Sequence, residues 1–238
     1  MTHEKPGSAL FSSRHHRNVA SILETLDASL LAEHRCYFGG GTAIVLQRNE
    51  YRESLDIDFL VSDTDGYREL RQLLTGVDGI NSITRSELVT VRDIRTDQYG
   101  IRTAISAGDS SVKFEIVHEG RISLESPAPA DTVCGVYTLS ETDMAASKLL
   151  ANADRWAYSS VHYRDVIDLA MLQVSKSNFD AAVHKAERAY GSGVIRSLAS
   201  VIEFLELNPD RLVRALGALQ VSVPYEEVWT LIKQLRPR

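Results

Sequence analysis

The sequence predicts an α+β chain: a mixed sheet with helices over residues 1–125 and a helical bundle over residues 126–238. Three observations carry that reading. A short apolar run, Cys36 to Phe38, leads through Gly39-Gly40-Gly41-Thr42 into an apolar helix-like stretch, Ala43 to Leu46. Residues 88 to 118 are rich in Val, Ile and Thr with turn signals between them, the pattern of paired strands. From Ser140 onwards the apolar spacing is helical.

Taken in order, residues 14 to 34 read as one helix, because Val19, Ile22, Leu23, Leu26, Leu30 and Leu31 fall at helical spacing. His15, His16 and His34 have no metal-ligand spacing and read as surface or capping residues. The strand–glycine–helix unit follows, then Ser54-Leu55-Asp56-Ile57-Asp58-Phe59 as a second strand. Asp63-x-Asp65-Gly66 signals a turn, and Tyr67 to Leu74 a short amphipathic helix. Three strands are expected at Leu88–Arg95, Tyr99–Ser106 and Ser111–His118, the last pair joined at Gly108-Asp109-Ser110. Residues 121 to 139, with Pro127 and Pro129, read as a connector between lobes. Ser140 with Asp143 has the shape of a capping box. Helices are then expected at 140–157, 161–174, 177–190, 193–206 and 224–235, with a short one starting at Asn208-Pro209.

Composition sets limits. The 238 residues are 44% hydrophobic and 24% charged, ordinary values for a chain that buries a core. No apolar run nears the ~20 residues of a membrane span, and the first residues lack the apolar region of a secretory leader. Cys36 and Cys134 lie far apart without metal spacing, as expected of buried thiols in a reducing cytoplasm. A net charge of −6 does not advertise nucleic-acid binding, although a local basic patch is compatible with it.

The chemistry concentrates in three places. On a strand Asp56 and Asp58 share a face, about 7 Å apart at Cα, while Ile57 and Phe59 turn to the core. Two carboxylates side by side repel unless a cation joins them, and oxygen-only donors suit Mg²⁺. The glycine turn lacks the third glycine of a dinucleotide fingerprint, since residue 44 is Ile, and no Gly-Lys-Ser/Thr follows. It is either a tight turn without a ligand or one whose backbone N–H groups hold a phosphate. On the strand expected at 111–118, Glu115 stands on the polar face. On the first helix after 140, Lys148, Asn152 and Arg155 share a face; on the next, Asp165, Asp168 and Leu172 do. Each of these stripes, alone, is also what a solvated helix surface looks like.

Together they form a known order of motifs. Gly-Gly-Gly-Thr followed by Arg52-x-Ser54-x-Asp56-Ile57-Asp58-Phe59 resembles the polymerase-β-like nucleotidyltransferases. More narrowly, it resembles the AbiEii/AbiGii toxins of type IV toxin–antitoxin systems, which include the MenT toxins. Lys148-x-x-Ala151-x-x-x-Arg155 and Asp165-x-x-Asp168-x-x-x-Leu172 match the later motifs of that family, in the right order. The resemblance spans Phe38 to Leu172.

The resemblance implies a catalytic lobe over 1–125 and a helical lobe over 126–238 that completes the active site. It implies that Asp56 and Asp58 hold Mg²⁺ (or Mn²⁺) on the triphosphate of an NTP. Glu115 is nominated as the third carboxylate, joining a second metal site and activating the acceptor hydroxyl. Gly40, Gly41 and Thr42 would cradle the phosphates, with Arg52 and Ser54 also at the nucleotide. Lys148 would neutralise the departing pyrophosphate, and Asp165 or Asp168 would orient it or meet the nucleotide. The implied acceptor is RNA, notably the tRNA 3′ end, the implied partner an antitoxin protein, and the implied location the cytoplasm without membrane attachment. Two other readings stay open: transfer to a small molecule or protein hydroxyl, and a regulator that binds nucleotide without turnover.

Overall fold

The computed structural model of the protein describes residues 11–237. The absence of an apolar leader, read mainly from residues 1–10, lies outside the described residues. Two units emerge, Met1–Glu50 with Ser54–Ser140, and Tyr51–Glu53 with Glu141–Arg238. The first opens on helix α1 (Arg14–Thr25), capped by the Ser13 hydroxyl accepting from the His16 N–H. Its apolar stripe puts Val19, Ile22 and Leu23 in the core. The single helix expected over 14–34 is broken. The Asp27 carboxylate accepts from the Ser29 and Leu30 N–H groups and so starts a separate helix, α2 (Ala28–Glu33). His16 is not a surface residue either: it is 1% exposed. His34 does end α2, where its ring pairs with Glu69.

Strand β1 (Cys36–Gly39) runs into helix α3 (Gly40–Gln47), and β2 (Ile57–Val61) into helix α4 (Thr64–Thr75), which Asp63 caps. Strands β3 (Thr90–Thr96), β4 (Gly100–Ala107) and β5 (Ser110–His118) form an antiparallel meander close to the positions expected from the Val/Ile/Thr pattern. The five strands lie in the order β1-β2-β5-β4-β3. β2 and β5 are parallel, and the long connection such a pair requires is supplied by α4, β3 and β4. The sheet is therefore mixed, as the sequence predicts.

Alternation along the strands gives the sheet two different faces. On one, Phe38, Ile57, Phe59, Phe114 and Ile116 are buried. The Phe59 ring sits 5.5 Å from Phe38 and 5.8 Å from Phe114, centroid to centroid. On the other, Gly39, Asp58, Glu115, Arg102 and Arg95 stand in cross-strand register.

Residues 121 to 139, expected to be a connector, belong to this first unit. Strands β6 (Thr132–Val133) and β7 (Val136–Tyr137) make a hairpin, and the Leu139 N–H donates to the Phe38 carbonyl at 2.9 Å. The chain accordingly changes units at 140/141 rather than at 125/126.

The second unit is helical: α5 (Glu141–Arg155), α6 (Arg164–Leu172), α7 (Lys176–Tyr190), α8 (Gly193–Leu207), α9 (Pro209–Ala218) and α10 (Tyr225–Gln234). Ser175 caps α7, and Pro209 occupies the first turn of α9, where its missing N–H costs nothing. Leu149, Leu150, Ile167, Leu198, Val201 and Ile232 are among its fully buried side chains. Asp143 is buried too and pairs with Lys185 of α7. Among the described residues no helix is long and apolar enough to cross a membrane.

Removing the Phe59 ring would leave a cavity beside Phe38 and Phe114. Phe59→Ala is expected to cost about 3–5 kcal/mol in urea unfolding; a loss under about 1 kcal/mol would contradict the packing described for this face.

Candidate active site

The first unit's candidate site is built on the glycine turn. Gly40 has φ +69°, a left-handed conformation that side chains disfavour, and a Cβ there would stand 2.7 Å from Asp58 Oδ2. Glycine is what lets the turn lie over the Asp58 carboxylate. Thr42, the next polar residue, is 1% exposed and faces inward. Its hydroxyl donates to the Asp56 carbonyl and bonds the Ser54 hydroxyl at 2.8 Å. The side chains of Thr42 and Ser54 are thus engaged in bracing the segment before β2. The strand itself begins only at Ile57, so Asp56 sits just ahead of it and Asp58 within it.

Glu115 is the cross-strand neighbour of Asp58. Its carboxylate is held on both oxygens, by Arg102 Nε at 2.6 Å and Lys113 Nζ at 2.7 Å. Burial works against the Lys113 ammonium, but the bond to Glu115, and then the charges of Glu115, Asp58 and Asp56, lift its pKa above the ordinary lysine value. That lysine feels all three carboxylates, so they share one electrostatic environment. Among the described residues no group of three or more His, Cys, Asp or Glu is gathered as a metal site. A divalent ion nevertheless suits the donors present: Asp56 and Asp58 offer only oxygen, and Mg²⁺ is commonly held by one or two carboxylates plus phosphate and water.

The same sheet face is basic further out. Arg92 and Arg95 of β3 are exposed and oppose Ala104 and Arg102. Lys113 and Arg102 were within reach of sequence reasoning, since Lys113 lies two residues from Glu115 on one strand face; the arginines of β3 were not, because β3 has register shifts that break simple alternation.

In the helical unit the motif residues are brought together. Asp168 is fully buried and accepts from four donors: Tyr51 Oη at 2.6 Å, Arg52 Nε at 2.8 Å and Nη2 at 2.9 Å, and Lys148 Nζ at 2.7 Å. Asp165 lies 3.2 Å from the same Lys148 ammonium and takes a bidentate pair from Arg155 at 2.7 and 2.8 Å. Burial would raise both carboxyls. For Asp168 the charges of Lys148 and Arg52 outweigh it, and for Asp165 those of Lys148 and Arg155 do, so both stay below the usual carboxylate range. Arg52, expected at the nucleotide, is 6% exposed and committed to Asp168. Sequence reasoning missed Tyr51, whose adjacency to Arg52 was the sole available sign. The structure does separate the two aspartates: Asp168 anchors the network, while Asp165 joins Lys148 to Arg155, whose side chain remains a third exposed.

Asp168→Asn would leave Arg52 and Lys148 buried without their counter-charge, at an expected cost of about 3–5 kcal/mol. A carboxyl whose folded pKa is depressed stabilises fully above its unfolded pKa, about 3.9, and loses that contribution as pH falls towards the folded value. The gap in urea stability between the wild type and Asp168→Asn should be constant from about pH 5 to 8 and close below about pH 4. Equal stability at pH 7 would refute the network.

Comparison with known proteins shows the family. The sequence model of one family, described as the nucleotidyl transferase AbiEii toxin of type IV toxin–antitoxin systems, matches residues 21–226. No curated protein matches the chain. The crystal structure of a candidate nucleotidyltransferase from H. pylori is similar at a TM-score of 0.50 and 15% identity, over 95% of this chain and 96% of that one. That likeness shows a shared fold. JHP933 from Helicobacter pylori follows at 0.47 and 15%, over 93% and 90% of the two chains. The family match takes in the glycine turn, both carboxylate pairs and Lys148, and the chain belongs to the AbiEii nucleotidyltransferase toxins of type IV toxin–antitoxin systems.

Proposed function

We propose that this nucleotidyltransferase moves a nucleoside monophosphate from an NTP to a hydroxyl of RNA, the tRNA 3′ end, in the cytoplasm, and that a cognate antitoxin restrains it. The observation that carries the reading is the Asp58 carboxylate under the φ-positive Gly40, with Asp56 beside it and Glu115 as its cross-strand neighbour. A glycine backbone that close to a carboxylate lets a phosphate on the turn and a cation on the carboxylates meet within a few ångströms.

In the transfer, the acceptor oxygen bonds to the α-phosphorus, the bond to the bridging oxygen breaks, and pyrophosphate leaves with the negative charge. A divalent ion, Mg²⁺ or Mn²⁺, held by Asp56 and Asp58 would supply charge neutralisation at the triphosphate. The chain's own residues do the rest. The backbone N–H groups of Gly40 and Gly41, rather than the buried Thr42 hydroxyl, would cradle the phosphates. Glu115 would receive the acceptor proton once Arg102 or Lys113 releases one of its oxygens. Lys148 would neutralise the leaving pyrophosphate and Asp165 would orient it, a role supported by their ion pair and by the surplus cation Arg155 next to it. Asp168 and Arg52 would hold that lysine in place rather than touch the nucleotide.

For RNA as acceptor the support is local charge. Arg92 and Arg95 continue the carboxylate face outwards in an otherwise acidic protein, and a phosphate backbone would neutralise them. The decisive experiment incubates the protein with each labelled NTP, Mg²⁺ or Mn²⁺ and total RNA. Label should enter tRNA, and transfer by Arg92→Ala/Arg95→Ala should weaken and become less salt-dependent. Label on protein or on a small molecule instead would overturn the RNA reading.

Asp56→Asn and Asp58→Asn should abolish transfer while the melting temperature holds, and Glu115→Gln should cost on the order of 10²-fold. Lys148→Ala should lower nucleotide binding and turnover together, with Lys148→Arg only a partial rescue, since a compact ammonium is replaced by a planar fork. A folded Asp58→Asn protein with wild-type turnover would remove the assignment.

A further inference from the structure

The first turn of α1 precedes residue 21, where the family match begins, yet it grips the backbone that leads into Asp56. The Ser54 N–H donates to His16 Nε2 at 3.2 Å. One residue on, His15 Nε2 donates to the Leu55 carbonyl at 2.9 Å. A backbone amide can only donate, so His16 Nε2 carries the lone pair and Nδ1 the proton. Nδ1–H then donates to Glu50 Oε1 at 2.8 Å. Glu50 is itself fixed by the Ser12 N–H at 2.7 Å, the Ser12 hydroxyl at 2.9 Å and the Ser13 N–H at 3.1 Å. Burial alone would raise its carboxyl, but the bonds from the Ser12 N–H, His16 and the Ser13 N–H bring it down to about 2, so it remains an anion that fixes the tautomer. From the other side, Ser54 bonds Thr42, and Thr42 donates to the Asp56 carbonyl.

A buried neutral imidazole has one donor and one acceptor nitrogen to satisfy. Here both ring nitrogens are used, and the acceptor nitrogen is spent on the residue two before Asp56. We propose that His16, held in its Nδ1-protonated form by Glu50, is a positioning residue for nucleotidyl transfer: it fixes the Ser54–Asp56 backbone and so sets where the Asp56 carboxylate meets the divalent ion. This rests on the reading of Asp56 as a ligand in the proposed reaction. The arrangement follows the logic by which groups behind a ligand, bonded to its backbone or ring, set the ligand's geometry.

The test uses the full chain with two near-isosteric variants. His16→Gln places an amide oxygen where Nε2 stood and can accept from Ser54; His16→Asn keeps a donor towards Glu50 and falls short of Ser54. Three quantities are read: exchange of the Ser54 amide, the Mn²⁺ midpoint from paramagnetic broadening of the Asp56–Asp58 amide signals with Mn²⁺ alone, and kcat and KM for NTP. His16→Asn should raise amide exchange and the Mn²⁺ midpoint on the order of tenfold, the worth of one hydrogen bond. Its kcat should fall by a similar factor, with KM within about twofold. His16→Gln should restore the amide protection, the midpoint and kcat, and the wild-type ring should show a pyridine-type Nε2 in its nitrogen shifts. A folded His16→Asn protein with the wild-type midpoint and kcat would overturn the proposal, as would failure of His16→Gln to restore them. Should the wild type bind Mn²⁺ and transfer nucleotide to no acceptor, the proposed reaction fails, while the exchange and Mn²⁺ arms still decide the role of His16.

Discussion

A carboxylate with no access to water must be matched by cations or be protonated. Asp168 is such a group, and the helical unit is arranged around that demand. Tyr51, Arg52 and Lys148 converge on it, from a loop and from α5, and Asp165 one turn earlier on α6 draws in Arg155. Two carboxylates face three cations. Arg52 and Lys148 are shielded from water, while the Arg155 side chain stays a third exposed. The ends of α6 reinforce the impression of a fixed element: Tyr163 and Gln173 both take left-handed conformations there, a strain that packing must hold in place.

The first unit solves a different problem. Its carboxylates, Asp56, Asp58 and Glu115, are half-buried, and they are balanced rather than sealed in. Lys113 and Arg102 meet Glu115, and Lys113 also feels Asp58 and Asp56. A cation bound to these carboxylates and a triphosphate bound to the cation would replace that balance with an equivalent one. The backbone around them is held by short, inward bonds from Thr42 and Ser54, which leaves little room for Asp56 to wander.

Much of this could be read from the residues. Period-two alternation put Glu115 on the polar face, the resemblance nominated it as the third carboxylate, and 3.6-residue spacing put Lys148 with Arg155 and Asp165 with Asp168. Those patterns are set by local geometry, which sequence encodes directly. What could not be read came from long-range partners. Arg52 lies in the run that also holds Asp56, yet its guanidinium belongs to Asp168, 116 residues later. Thr42 follows the glycines, yet turns inward to a carbonyl. His16 shares the apolar stripe of α1 with Val19, Ala20 and Leu23, so its burial was legible, but its partners Glu50 and Ser54 were not. The break at Asp27 was a contest between helix continuation and a side-chain cap, and apolar spacing is blind to caps.

The three-residue stretch Tyr51–Glu53 belongs to the helical unit although the chain on both sides of it belongs to the other. The helical unit is therefore not a continuous segment, and its central ion network waits on a closure across more than a hundred residues. Contacts so distant in sequence form late, because the entropy of closing the loop comes before the reward. During synthesis Tyr51 and Arg52 leave the ribosome long before Lys148 and Asp168 exist. Until Asp168 is made, a nascent chain that already holds the glycine turn, Asp56 and Asp58 still lacks the counter-charge of Arg52 and Lys148. Translation that stops short of Asp168 thus leaves a first unit that is complete in sequence and an Arg52 without its counter-charge.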